Sequence, residues 1–124
     1  MRRLLIALLG AIAMLLAACS SDAAVADRPV SDIPAAAFET LTKIDAGTWP
    51  DSANAPGTRG GDTWQNREGT LAAKDASGKP IKYREWDVNP KRRGQTRDAE
   101  RIVTGSDGSA WYTGDHYKTF KRMR

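Results

Sequence analysis

The fold depends on residues 82–88, which read Lys-Tyr-Arg-Glu-Trp-Asp-Val. Successive side chains of a β-strand point to opposite faces, so this alternation predicts a strand with Glu85 on one face and Trp86 and Val88 on the other. The two large apolar side chains suit a face that packs against a helix. Glu85 is therefore expected on the opposite, open face of a sheet.

Further strand patterns follow toward the C-terminus. Strands are predicted at about 101–104, 110–113 and 117–122. The tetrapeptide Gly-Ser-Asp-Gly at 105–108 is a strong hairpin signal between the first two of them. A helix followed by hairpin-linked strands predicts an α+β fold, with an N-terminal helix packed on a twisted antiparallel β-sheet.

The N-terminal helix is predicted from apolar side chains at three- and four-residue spacing. They are Ala37, Phe38, Leu41 and Ile44. Asp32 is placed as the N-cap, Pro34 lies in the first turn where proline is tolerated, and Gly47 is placed to end the helix. Residues 47–62 contain several prolines and glycines and are expected to form a long loop.

Residues 1–18 are predicted to be the signal peptide of a lipoprotein. A short positive start precedes an apolar run that is too brief to span a membrane. The run ends in Leu-Ala-Ala-Cys at 16–19, which resembles the cleavage motif of bacterial lipoproteins. Cys19, the only cysteine, is therefore expected to carry lipid. The alternative is an ordinary signal peptide cleaved near Ala18, with Cys19 uninvolved.

The rest of the chain divides into a tether and one domain. Residues 19–31 are small, polar and alanine-rich, which predicts a flexible tether. Residues 32–124 are expected to form the domain, as a monomer. With one cysteine there is no disulfide within a chain, so the fold must depend on its core. The expected location is extracytoplasmic, on a bacterial membrane or secreted.

Charge is unevenly distributed along the chain, whose formal net charge is +4 at pH 7. Residues 19–78 hold 5 basic and 9 acidic side chains, whereas residues 79–124 hold 12 basic and 6 acidic ones. A basic half is typical of a surface that meets nucleic acid or membrane, and equally of a solvated charged face. Charge alone therefore does not select the partner.

Four side chains in the basic half form a possible catalytic set. They are Glu85, Arg97, Arg101 and His116, the only histidine. A carboxylate and a histidine can exchange protons with a reacting group, and arginines can stabilise charge on phosphorus, so the set suits metal-free cleavage of a phosphodiester. Each residue also has an ordinary explanation. Glu85 could be a strand-face ion partner, His116 a hydrogen-bonded strand end, and the arginines surface cations.

Five short motifs carry a resemblance to a known family. They are Gly61-Asp62, Asn66-Arg67-Glu68-Gly69, Tyr83-Arg84-Glu85, Arg97 with Arg101-Ile102, and Asp115-His116-Tyr117 followed by Thr119-Phe120. In order and spacing they resemble the microbial guanyl-specific ribonucleases, the family of barnase and the streptomycete extracellular ribonucleases. The resemblance runs from residue 60 to the C-terminus. It implies the α+β fold of that family and the activity of a secreted endoribonuclease.

The resemblance implies a reaction on single-stranded RNA that needs no cofactor and no metal. Glu85 matches the general base that takes the proton of the 2′-hydroxyl, and His116 matches the general acid that protonates the leaving 5′-oxygen. Arg97 and Arg101 match the arginines that hold the phosphate. Cleavage after guanosine would give a 2′,3′-cyclic phosphate, which is then hydrolysed to the 3′-phosphate.

The resemblance also implies a guanine site. The matching loop residues are Gln65, Asn66, Arg67 and Glu68. Glu68 matches the carboxylate that accepts hydrogen bonds from N1 and N2 of guanine. Tyr117 is expected to stack on the base, and Trp64 to pack or stack beside it. Asp62 matches a structural aspartate that ties the loop to an arginine.

RNA is the implied partner, and a barstar-like protein inhibitor is a further one, because an unexported copy would attack host RNA. The chain departs from barnase at residues 33–36, where a phosphate-binding lysine has no counterpart. Lys91, Arg92 and Arg93 lie in a longer turn and either contact flanking phosphates or form a solvated basic loop. The rival hypothesis is a catalytically inactive RNA-binding surface lipoprotein. A DNA nuclease is disfavoured because DNA lacks the 2′-hydroxyl and the chain lacks metal ligands.

Overall fold

The structure is a computed structural model that describes residues 32–124. Its elements are helix α1 (Ala35–Asp45), a short 3₁₀ turn (Asp51–Ala53) and strands β1 (Gly60–Trp64), β2 (Tyr83–Asp87), β3 (Arg101–Gly105), β4 (Ala110–Thr113) and β5 (Lys121–Arg122). The strands form one antiparallel sheet in chain order. The predicted α+β fold is confirmed. The predictions on the signal peptide, Cys19 and the tether lie outside the described residues.

Helix α1 begins later than the sequence predicts. Pro34 is its N-cap and makes no side-chain capping bond, while Asp32 lies 3.3 Å from Lys121 Nζ. The N-cap prediction for Asp32 is wrong because the residue before a proline disfavours helical backbone, so Ile33 cannot join the helix. Gly47, with φ +73°, ends the helix as predicted. No helix in the described part of the chain is long and apolar enough to cross a membrane.

One face of α1 packs on the sheet. The buried cluster between them contains Ile33, Ala37, Leu41, Val88, Ile102, Ala110 and Tyr112. Trp86 also packs against this cluster, so the predicted helix-facing side of β2 is confirmed. Phe38, predicted on the apolar stripe, is 40% exposed. Thr40 is buried instead, and its hydroxyl donates a 2.7 Å hydrogen bond to the carbonyl oxygen of Val88.

The opposite face of the sheet is also partly covered. Leu71, Tyr83 and Val103 are buried there. The side chains packed around them are Trp64, Ile81, Trp111, Tyr117 and Phe120. Glu85 lies on this face and is half-buried. The prediction of an open face is therefore wrong in part, because the segments after β1 and before β5 fold over it and leave a pocket at Glu85.

Strand β1 begins inside the loop that the sequence predicts at 47–62. Gly60 and Gly61 are turn residues by composition, yet both lie against Trp86. A Cβ on Gly60 would come within 2.7 Å of Trp86 Cε3, so only glycine permits this approach. Gly61 has φ +85° and sits at the register shift between Gly60 and Asp62, as expected of a bulge. The two glycines therefore shape the sheet rather than end it.

The C-terminal strands follow the prediction only in part. The hairpin at 105–108 is confirmed, with the N–H of Gly105 donating to the carbonyl oxygen of Ser109 at 2.9 Å. The strand predicted at 117–122 shrinks to the two residues of β5. The preceding segment forms a loop because hydrogen bonds to Asp115 replace the strand pairing.

Candidate active site

The two predicted proton-transfer residues and the predicted guanine-binding residues line one surface pocket of about 470 Å³. Its lining includes Gln65, Asn66, Arg67, Glu68, Glu85, His116 and Tyr117. Glu85 lies at the centre of β2, paired in register with Asp62 on β1 and Val103 on β3. The sheet therefore fixes the carboxylate at the pocket, while two loops bring the other groups to it.

His116 is carried by a tight loop between β4 and β5. His116 and Tyr117 have left-handed backbone, with φ of +55° and +70°, which costs free energy in residues other than glycine. Asp115 holds this loop, because its carboxylate accepts hydrogen bonds from the backbone N–H and the hydroxyl of Thr119 at 2.9 and 2.6 Å. The N–H of His116 also donates to the carbonyl oxygen of Ala99. The loop thus presents the exposed imidazole at the pocket.

The Asp115 loop is expected to lose stability in acid. Hydrogen bonds, first that from the Thr119 hydroxyl, lower the pKa of Asp115 to about 2. Since its pKa when unfolded is about 4, the stabilisation is present above about pH 4 and is lost as the pH falls through about 2. Urea unfolding of wild type and Asp115→Asn should therefore differ near neutral pH and converge toward about pH 2. A difference that stays constant with pH would contradict this.

A buried carboxylate that the sequence analysis did not single out organises the arginines. Asp87 accepts a hydrogen bond from Arg97 Nη1 at 2.8 Å and forms an ion pair with Arg101, whose Nε lies 3.1 Å away, and its side chain is 3% exposed. Arg101 is 4% exposed and also donates to two backbone carbonyl groups. Both arginines line a small cleft together with Glu85 and Tyr117. The structure thus brings the predicted phosphate-binding arginines to the predicted base.

Tyr117 connects the guanine loop to this cleft. Its ring stacks on Trp64, with centroids 5.8 Å apart and planes inclined by 17°, and it lines the cleft together with Glu85 and Arg101. Burial raises the pKa of Tyr117 above its ordinary value, and the hydrogen bond to Glu85 raises it further. Tyr117 therefore keeps its hydroxyl proton and can donate it in a hydrogen bond to Glu85. Trp64 also packs edge-on against Tyr83, so packing is part of its role.

The loop that is predicted to bind guanine is shaped by Asn66. The Asn66 side chain accepts a hydrogen bond from the N–H of Leu71 at 3.1 Å and donates one to the carbonyl oxygen of Leu71 at 2.8 Å. Asn66 has φ +49°. Arg67 and Glu68 are exposed, and neither forms an ion pair within residues 32–124. The carboxylate of Glu68 is thus available to a ligand, whereas the side chain of Asn66 is engaged with the backbone of Leu71.

Further charges surround the pocket. Asp62 Oδ2 lies 3.2 Å from Arg59 Nη2, so the predicted contact of Asp62 with an arginine is confirmed. Lys91 and Arg92 line a separate cavity of about 560 Å³ that also includes Arg97. The basic turn therefore adjoins the arginine cleft. The described part of the chain contains no group of three or more His, Cys, Asp or Glu side chains that could hold a metal ion.

Residues 16–124 match the model of the ribonuclease family. The ribonuclease of Heyndrickxia coagulans is 45% identical over 71 residues, which are 56% of this chain and 60% of that protein. Guanyl-specific ribonuclease Sa3 of Kitasatospora aureofaciens is 36% identical over 94 residues, with coverages of 75% and 60%. Guanyl-specific ribonuclease St of Saccharopolyspora erythraea is 31% identical over 105 residues, with coverages of 85% and 94%. The chain thus spans less than two thirds of the first two proteins and most of the third.

Solved structures agree with these relatives. The crystal structure of ribonuclease Sa2 with guanosine-2′-cyclophosphate has a TM-score of 0.52 and 33% identity, covering 73% of this chain and 86% of that one. The structure of Sa2 complexes with mononucleotides has a TM-score of 0.51 at the same identity. The family match, the relatives and the shared fold all agree with the motif resemblance. The chain belongs to the microbial guanyl-specific ribonuclease family.

Proposed function

We propose that the chain is an endoribonuclease that cleaves single-stranded RNA after guanosine without a metal ion. The proposal rests on one pocket in which Glu85 and His116 meet the loop at 65–68, next to a cleft that holds Arg97 and Arg101. A base-binding loop, two proton-transfer groups and two phosphate-binding cations thus lie side by side. RNA supplies its own nucleophile, the 2′-hydroxyl, so this set is sufficient for cleavage.

The proposed reaction has two steps with exchanged roles. In the first, Glu85 removes the proton of the 2′-hydroxyl as that oxygen attacks phosphorus, and His116 protonates the departing 5′-oxygen. The bond from phosphorus to the 5′-oxygen breaks, and a 2′,3′-cyclic phosphate forms. In the second step His116 takes a proton from water, which attacks phosphorus, and Glu85 returns a proton to the 2′-oxygen. The product is a 3′-phosphate.

The arginines supply electrostatic stabilisation in both steps. Negative charge builds on the phosphorus oxygens in the transition state, where oriented cations act more strongly than in the ground state. Asp87 orients Arg97 and Arg101 before RNA arrives, so little reorganisation is needed during the reaction. The protonated Tyr117 hydroxyl lines the same cleft and can donate a hydrogen bond to the Glu85 carboxylate.

Guanine selection is assigned to the loop and its carboxylate. The Watson–Crick edge of guanine offers the N1 and N2 hydrogens side by side, which one carboxylate can accept together, and adenine offers no such pair. Glu68 is exposed and lines the pocket. Tyr117 and Trp64 offer aromatic surface on which a base can stack.

Cleavage of GpU and ApU by the full chain, with EDTA present, tests the proposed function. Wild type should cleave GpU faster than ApU and release a guanosine 2′,3′-cyclic phosphate. Equal cleavage of both dinucleotides would be consistent with the proposed mechanism but would overturn the proposed guanine preference. A folded protein without activity would favour the alternative, a catalytically inactive RNA-binding lipoprotein of the same fold.

Glu68→Gln is expected to lower kcat/KM for GpU by about 10- to 100-fold, since a hydrogen bond to a charged group contributes about 1.5–3 kcal/mol. The slower cleavage of ApU should hardly change, because adenine does not use this carboxylate. Initial rates with both dinucleotides measure the effect. Glu39→Gln, an exposed glutamate on α1, is the matched control. An equal loss with GpU and ApU would assign Glu68 a role other than base recognition.

We further propose that the enzyme is extracytoplasmic and anchored by lipid on Cys19, which the sequence of residues 1–19 alone supports. The enzyme is proposed to act as a monomer, with Lys91 and Arg92 contacting phosphates that flank the cleaved bond. A barstar-like inhibitor would protect host RNA before export. Mass spectrometry of the N-terminal peptide from a membrane fraction tests the anchor. A lipid-free N-terminus near residue 19 would favour the ordinary signal peptide.

A further inference from the structure

Arg59 lies at the phosphate cleft although no sequence motif pointed to it. It lines the same cleft as Glu85, Arg97 and Arg101. Two hydrogen bonds tie its backbone to Asp87. The N–H of Arg59 donates to Asp87 Oδ2, and the N–H of Asp87 donates to the carbonyl oxygen of Arg59, both at 2.8 Å. The carboxylate that orients the other two arginines therefore also fixes the backbone from which the Arg59 side chain starts.

The side chain of Arg59 is held by an exposed partner. Arg59 and Asp62, which form a 3.2 Å ion pair, have side chains that are 61% and 49% exposed. Asp62 pairs in register with Glu85, and directly opposed residues of antiparallel strands project from the same face. Arg59 is thus held beside Glu85 by an ion pair that contributes little to folding. A bound phosphate can replace Asp62 as its partner at little loss of stability.

The charges of the cleft leave room for a third cation. Apart from the pair Arg59 and Asp62, the cleft is lined by two carboxylates and two guanidinium groups whose formal charges cancel, namely Glu85, Asp87, Arg97 and Arg101. A phosphodiester brings one negative charge, and more develops on its oxygens in the transition state. A protonated His116 would offset this negative charge only until it gives its proton to the leaving oxygen. Arg59 stays charged throughout the reaction.

We propose that Arg59 is a third phosphate-binding cation, which pairs with Asp62 in the free protein and contacts the scissile phosphate when RNA binds. This inference rests on the proposed ribonuclease function. A guanidinium group can hold two phosphate oxygens at once, and Asp62, which is already exposed, is left to water in the bound state. The competing explanation is that Arg59 only neutralises Asp62 next to Glu85.

A double-variant cycle on the full chain separates these explanations. The measurements are kcat/KM for GpU and the Kd of guanosine 3′-phosphate. Arg59→Gln is expected to lower kcat/KM and to raise Kd, each by about 10-fold, as for loss of one charge-assisted hydrogen bond. Asp62→Asn should cleave GpU and bind guanosine 3′-phosphate as well as wild type or slightly better, because it frees Arg59 from its ion pair. The double variant Arg59→Gln/Asp62→Asn should have the same kcat/KM and Kd as Arg59→Gln.

Two outcomes would overturn the inference alone. One is recovery of wild-type values in the double variant, since Arg59 would then act only by neutralising Asp62. The other is a loss in Arg59→Gln no larger than in Lys79→Gln, an exposed turn residue that lines neither the pocket nor the cleft. Circular dichroism checks that each variant is folded. A wild-type chain that neither cleaves GpU nor binds guanosine 3′-phosphate would overturn the proposed function and this inference together.

Discussion

Replacing Glu85 with glutamine is expected to lower kcat for GpU cleavage by about 10²- to 10⁴-fold, the range for loss of a general base. Glutamine keeps the shape of the side chain and can still accept a hydrogen bond, so the variant should fold. It cannot take the proton of the 2′-hydroxyl. His116→Ala should cause a loss of similar size with GpU, because the 5′-oxygen of uridine leaves poorly without an acid.

The leaving group separates these two roles. In guanosine 3′-(4-nitrophenyl phosphate) the departing phenolate needs no proton. His116→Ala is therefore expected to approach the wild-type rate with this ester, whereas Glu85→Gln stays slow because the 2′-hydroxyl must still lose its proton. Glu39→Gln should cleave both substrates normally. If His116→Ala stays as slow as Glu85→Gln, or if both recover, the assignment of acid and base is wrong.

The position of Glu85 could be predicted because strand geometry alone separates it from Trp86 and Val88. The family resemblance of the ordered motifs, rather than any local pattern, implied which residues meet at the site. The structure accordingly places Glu68 and His116 in the pocket of Glu85. Their chemical roles still rest on the resemblance and on the experiments above.

Other parts of the site depend on contacts between residues that are distant in the sequence. A lone aspartate in a strand gives no sign that Arg97 and Arg101 will meet it, although alternation does place Asp87 on the face of Glu85. The sequence predicts a loop at Gly60, because the side chain that requires a glycine there, Trp86, lies on another strand. In the same way, side-chain hydrogen bonds within the His116 loop override a strand pattern. Tertiary packing thus decides the details that local propensity cannot.

Replacing Asp87 with asparagine is expected to lower the free energy of unfolding by about 3–5 kcal/mol, as when a buried ion pair loses one partner. Its carboxylate accepts hydrogen bonds from Arg97 and the backbone of Arg59 and forms an ion pair with Arg101. The neutral amide leaves the buried charge of Arg101 without its buried carboxylate partner. Urea unfolding measures the loss. The matched control is Asp98→Asn, which removes a 49% exposed partner at 3.5 Å from Arg101 and should cost less than about 1 kcal/mol.

The double variant Asp87→Asn/Arg101→Met separates stability from function. Methionine removes the uncompensated charge, and apolar replacements of buried ion pairs are often no less stable than the pairs themselves. We therefore expect the double variant to regain most of the lost free energy of unfolding and yet to cleave GpU as slowly as Arg101→Met alone. That outcome would mean that Asp87 positions cations for a phosphate, and that its ion pair with Arg101 adds no stability over an uncharged replacement. If the double variant has the same free energy of unfolding as Asp87→Asn, the lost stability comes from the hydrogen bond between Asp87 and the Arg59 backbone. The main role of Asp87 would then be structural.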